Sequence, residues 1–128
     1  MIEIVNPYGA LTSTSLFSPA TCYGDLIFLS GQIPSSPDSG EIIGDDISSQ
    51  AKQVLENVTA VLSAAGSDLS HVLKATCYIT DMAHFSAFNE VYISYFTDHK
   101  PARTTIAVKQ LPRDVLIEIE VIAVKSAV

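Results

Sequence analysis

Tryptophan is absent from the 128 residues, and cysteine and arginine occur twice each. Cys22 and Cys77 lie far apart and outside any paired-cysteine motif. Disulfide-stapled domains carry more cysteine in shorter chains, so two thiols in a reducing cytoplasm are expected. The three histidines, His71, His84 and His99, lack the spacing of metal ligands, and no metal or other cofactor is expected. Seven basic residues stand against fourteen acidic ones, a net charge of -7, and the basic residues form no cluster. Nucleic-acid binding thus has no electrostatic footprint. No apolar run is long enough to span a bilayer, so no membrane partner is expected. The N-terminal MIEIVNPYGALTSTS has neither the basic start nor the apolar run of a secretory leader. Only 16% of residues are charged, which hints at apolar surface hidden by self-association.

What is present is enough apolar sequence, 48%, for one domain over residues 1–128. Ile2–Val5 reads as a short strand stopped by Asn6-Pro7, and Tyr8–Pro19 as irregular chain. Ala20–Tyr23 and Leu26–Leu29 flank Gly24-Asp25, the pattern of a tight hairpin. The second run is almost wholly apolar, which predicts a central strand buried on both sides. Ser35–Asp45 carries turn chemistry and is a surface loop. Apolar residues at 51, 54, 55, 58, 61, 62 and 65 predict a helix over Ile47–Ala65, capped by Asp46 and ended by Gly66. Its wet face would hold Lys52, Glu56 and Asn57.

His71–Thr80 alternates as a strand does, with Leu73, Ala75, Cys77 and Ile79 on one face and Val72, Lys74, Thr76 and Tyr78 on the other. Asp81 caps a second predicted helix, Met82 to about Thr97, with Phe85, Phe88, Tyr92, Tyr95 and Phe96 on one side. Arg103–Val108 is a strand, Lys109–Asp114 a turn, and Val115–Val124 a long strand apolar enough to be central. The order β-β-β-α-β-α-β-β gives a mixed sheet with two helices on one face. Its other face is half-apolar and invites self-association with closed symmetry.

Residues 101–120, PARTTIAVKQLPRDVLIEIE, concentrate the unusual chemistry. They contain both arginines, Arg103 and Arg113, and two glutamates, Glu118 and Glu120, within an apolar run. The glutamates share a strand face, roughly 6–7 Å apart. A guanidinium at 103 offers two parallel hydrogen bonds to a carboxylate. A carboxylate in an apolar strand must find water, a partner or a ligand. Two readings follow: a carboxylate grip beside a general base, or a structural ion pair on the sheet.

Pro101-Ala102-Arg103, then Leu111, then Ile117-Glu118-Ile119 resembles the signature of the reactive intermediate deaminase family (Rid, or YjgF). Ser30–Pro34, Gly40–Ile42, Gln53–Asn57 and Phe88–Tyr92 match in order, so the resemblance covers nearly the whole chain. It implies an α+β fold like bacterial chorismate mutase, with a six-stranded sheet whose last strand runs between the third and fourth. It further implies a homotrimer with a pocket at each subunit interface, where Arg103 and Glu118 would meet across a pocket wall. The implied activity is hydrolysis of imines and enamines of the 2-aminoacrylate type to 2-keto acids and ammonia, without cofactor. Arg103 would hold the carboxylate and Glu118 would activate water or shuttle the proton. Ser30 and Gly31 would line the pocket, Thr105 would offer its backbone N–H, and Asn89 would reach the neighbouring subunit's pocket. Glu120 would be structural.

Two departures stand out. Phe17 occupies the place of a tyrosine usual at the pocket rim, and Thr105 that of a frequent cysteine. They leave room for a pathway-specific deaminase, for example on 2-aminomuconate, or for a regulatory trimer that binds 2-keto acids without turnover. Relatives linked to RNA cleavage are a poor guide here, given the net charge of -7.

Overall fold

A computed structural model describes residues 1–9 and 11–126. Six strands form one sheet: β1 (Glu3–Val5), β2 (Ala20–Tyr23), β3 (Leu26–Leu29), β4 (Val72–Ile79), β5 (Ala102–Ala107) and β6 (Ile117–Val124). Two helices, α1 (Ile47–Ala64) and α2 (Phe85–Tyr95), cover one face. The strand order is β1-β2-β3-β6-β4-β5. All neighbours are antiparallel except β4 and β5. The last strand therefore inserts between β3 and β4 rather than pairing with β5 as a terminal hairpin.

Local chemistry accounts for the elements. Gly24 (φ +60°) and Asp25 close the β2–β3 hairpin, with Tyr23 opposite Leu26. Asp46 caps α1 by accepting from the Ser49 N–H at 2.7 Å. Along α1, Ala51, Val54, Leu55, Val58, Val61 and Leu62 are wholly buried. They pack on Ala75, Cys77 and Ile79 of β4 and Ile117, Ile119 and Val121 of β6. This is the predicted stripe on the predicted sheet.

The structure corrects four expectations. A bulge between Val72 and Lys74 shifts the β4 register, so Val72 is buried and Leu73 is turned out, 48% exposed. The buried face thus runs Val72, Ala75, Cys77, Ile79. β3 is central but buried on one side only: Leu26 and Phe28 are 41% and 42% exposed on the open face. Asn57 is not on a wet face but buried, with its amide donating to the carbonyls of Ile33 and Ser35 at 3.0 and 2.8 Å. The second helix begins with a separate 3-10 turn over Met82–His84, which Asp81 caps through the Ala83 N–H, and ends at Tyr95. His99 leaves the helix end and donates from Nε2 to the Val72 carbonyl at 2.6 Å, pinning the start of β4.

The open face presents Phe28, Ile122, Tyr78, Glu118 and Glu120 along its middle and Lys74 and Thr104 toward one edge. Several of its polar groups are matched within the sheet, and Glu118 is not. The Tyr78 hydroxyl donates to Glu120, and Lys74 Nζ donates to the Thr104 hydroxyl at 2.8 Å. A face of this kind can be buried by another surface without stranding those groups.

Candidate functional site

Arg103 opens the site. It stands on β5 beside Ala75 of β4, and both side chains point to the helical face. Its guanidinium carbon lies 4.6 Å from the ring centre of Tyr92 and 5.6 Å from those of Phe85 and Phe88. The three rings recur at i, i+3 and i+7 on α2, so one helix face makes an aromatic cradle around a cation. One N–H donates to Asn89 Oδ1 at 2.9 Å. The salt bridges among the described residues are His71–Asp68 and Lys125–Glu3, and Arg103 belongs to neither. The ion-pair reading therefore fails. The guanidinium is positioned by rings and a neutral amide, and its remaining donors have no hydrogen-bond partner among the described residues. A cleft of about 230 Å³ lies over it, lined by Asn89, Tyr92, Ile93, Phe96, Lys100 and Arg103. Lys100 spends two donors on the Phe96 and Thr97 carbonyls at the end of α2.

Glu118 is on the other side of the sheet. It alternates with buried Ile117 and Ile119 on β6 and stands opposite Tyr78 of β4. It is half-buried and takes part in no hydrogen bond or ion pair among the described residues. Burial pushes its pKa above the ordinary carboxylate value, and the charge of Glu120 pushes the same way. Tyr78, which donates a hydrogen bond to Glu120 and keeps its proton, has its pKa raised to about 12, first by that hydrogen bond.

Gly31 makes the approach of Glu118 possible. A Cβ there would sit 1.9 Å from Glu118 Oε2. The φ of Gly31 is not positive, so what the position requires is space. Gln32 holds the glycine in place through paired backbone bonds with Ile119, at 2.8 and 3.1 Å. Ser30 lies next door. Its hydroxyl donates to the Ser18 carbonyl at 2.6 Å and its N–H to the Pro19 carbonyl at 2.9 Å. Ser30 thus ties down the irregular segment that carries Phe17. Phe17, Ser30, Gly31, Ile33, Pro112 and Glu118 line a cavity of about 360 Å³.

Two groupings result. The sheet brings Phe17, Ser30, Gly31 and Glu118 to one cavity, and Arg103 and Asn89 to another. Thr105 lies with the second group, opposite Cys77, its hydroxyl oxygen buried without a partner. Arg103 and Glu118 do not meet within one chain, because the sheet separates them.

Residue patterns missed several contributors. Pro112 falls in a segment whose pattern reads only as a turn, and Ile33, inside the matched Ser30–Pro34, carries no signal of its own. Phe85, Phe88 and Tyr92 were read mostly as core; an aromatic face that has to pack beside a strand bearing a lone arginine was the available signal. Asn57 reads as helix surface from its place off the stripe, and nothing in the spacing singles out Gln50. Gln50 is buried, accepting from the Leu116 N–H at 2.8 Å and donating to the Gly44 carbonyl at 3.1 Å. Among the described residues no cluster of His, Cys, Asp and Glu could hold a metal ion, and no helix is long and apolar enough to cross a membrane.

Comparison with known proteins places this geometry. A family model described as Endoribonuclease L-PSP matches residues 8–125. A RutC family protein of Pyrococcus horikoshii is 47% identical over 126 residues, 98% of this chain and 100% of the relative. The Escherichia coli protein named "Putative reactive intermediate deaminase TdcF" is 46% identical over 107 residues, 81% of this chain and 82% of its own. The crystal structure of E. coli TdcF with bound serine superposes with a TM-score of 0.87 at 39% identity, covering 97% of this chain and 99% of that one. The YjgF gene product of E. coli does so with a TM-score of 0.88 at 36% identity, again over 97% and 99%.

Proposed function

The chain belongs to the Endoribonuclease L-PSP family, the Rid or YjgF proteins, and from that premise we propose that it is an imine and enamine deaminase acting between two copies of itself. One observation carries the reading. Arg103 is an oriented guanidinium, half-buried against three aromatic rings, with no acidic partner among the described residues. Such a group takes a planar carboxylate through two parallel hydrogen bonds. The base that must stand near that carboxylate is on the opposite sheet face. The half-apolar open face supports a second copy packing against it and bringing its own Arg103 to the mouth of the Glu118 cavity. A closed trimer would give three such sites.

The chemistry then needs no cofactor. The substrate carboxylate sits on Arg103, and Asn89 keeps that fork aligned. The backbone N–H of Thr105, on the outer strand β5, offers a further contact to the carboxylate. Glu118 accepts a proton from water as the oxygen bonds to the C=N carbon and the π pair moves to nitrogen. The carboxyl returns that proton to nitrogen, giving the carbinolamine; Glu118 then takes the carbinol O–H proton and passes it to the amine as the C–N bond breaks, so the carbonyl forms and ammonia leaves. For an enamine, a protonated Glu118 first donates to the β-carbon, producing the imine. A carboxyl whose pKa is raised by burial suits both directions of transfer. Gly31 leaves the carboxylate room, and Ser30 and Phe17 form the adjoining wall.

An amino acid oxidase that produces the imine in situ, with semicarbazide trapping what survives, tests the reading. The chain should reduce trapped semicarbazone, and Arg103→Ala should not. Equal performance by wild type and R103A, or binding of 2-keto acids with no turnover, refutes it.

A further inference from the structure

We propose, building on the deaminase reading of the same site, that the preferred substrates are 2-imino acids with sizeable apolar side chains. The Glu118 cavity shows this in its lining. One end holds the carboxylate beside Gly31, and the rest is Phe17, Ile33 and Pro112. The Ser30 and Ile33 polar groups beside this wall already have partners, while the Gly31 backbone, at the Glu118 end, has none among the described residues. The Ser30 hydroxyl donates to Ser18, and the Ser30 carbonyl accepts from Gln32 Nε2 at 3.0 Å. The Ile33 carbonyl accepts from Asn57. Glu118 is the one lining side chain with an ionisable head, and its place is with the reacting carbon. Phe17 has no hydroxyl to offer.

A substrate has three substituents to place about the C=N carbon. The carboxylate goes to a guanidinium, the nitrogen and the attacking water stay at Glu118, and the side chain is left with the apolar wall. A hydroxyl or amide against Phe17, Ile33 and Pro112 would give up water for hydrocarbon, with only the Ser30 hydroxyl oxygen left to accept a hydrogen bond. A hydrocarbon group would lose water at no such cost.

Size points the same way: the open cleft of about 360 Å³ has room beyond the six non-hydrogen atoms of the alanine imine and admits the nine of the leucine imine.

The test uses imines made in situ from leucine and from asparagine, side chains of nearly equal size and shape but opposite polarity. The leucine imine should be hydrolysed with a kcat/KM at least tenfold higher. Phe17→Ser, a change at a position 68% exposed and so of small consequence for folding, should reduce kcat/KM for the leucine imine about tenfold more than for the alanine imine. Leucine and asparagine imines turned over within threefold of each other would overturn this inference and leave the deaminase reading standing. No turnover of any imine would overturn both.

Discussion

Replacing Arg103 by lysine keeps the charge and removes the fork. In the structure one N–H of Arg103 is committed to Asn89 Oδ1 at 2.9 Å, and the guanidinium plane is seated on Tyr92, 4.6 Å from the ring centre. An ammonium at 103 can keep the Asn89 contact or turn to a carboxylate, but it cannot present two parallel donors while stacked on the rings. A charge-assisted hydrogen bond contributes about 1.5–3 kcal/mol. Losing one of two should lower kcat/KM by about one to two decades, at about 1.4 kcal/mol per decade. Arg103→Ala loses both and should cost about two to four decades. The assay is imine trapping by semicarbazide at substrate concentrations below KM, where kcat/KM is read directly. Because Arg103 has no acidic partner among the described residues, neither variant strands a buried carboxylate there, and both should stay folded. A lysine variant with wild-type kcat/KM would refute the bidentate grip.

Other expectations follow from the same geometry. Gly31→Ala places a methyl 1.9 Å from Glu118 Oε2; the flexible carboxylate can swing away, so activity should fall at least tenfold while Tm changes little. Glu120→Gln removes the charge that helps raise the Glu118 pKa, so the acid limb of the kcat/KM profile should move to lower pH. The folded Glu118 pKa lies above its unfolded value, so ionisation disfavours the fold and this cost appears as pH rises through that window. Glu118→Gln should therefore match or exceed wild-type Tm at pH 7, with the difference closing at acid pH, while being inactive. Asn57→Ala leaves the part-buried Ser35 carbonyl without its partner, while the Ile33 carbonyl keeps the Ser35 N–H at 2.8 Å, and should cost about 1–3 kcal/mol in urea unfolding.

The legible part of the fold was the part ruled by periodicity. The α1 stripe, the β2–β3 hairpin and the apolar β6 were read from spacing alone, because each buries a repeating face. The insertion of β6 between β3 and β4 left no periodic trace; it came from the family resemblance. Leu73 was misplaced because a bulge flips the alternation and carries no residue signature here. Asn57 was misread because an amide that satisfies loop carbonyls across 22 to 24 residues looks like any surface amide in a helix. In the site, residue type identified Arg103 and Glu118 as unusual. Which faces they occupy follows from strand pairing, and only the sheet shows that one chain keeps them apart.

That separation makes a mixing experiment the sharpest test. Arg103→Ala and Glu118→Ala chains, each inactive alone, are co-expressed with different tags, and assemblies carrying both tags are purified. If each site takes Arg103 from one copy and Glu118 from another, every closed trimer carrying both tags has one intact site of its three and restores about one third of wild-type activity. Mixed assemblies as inactive as either parent would contradict a site shared between two copies.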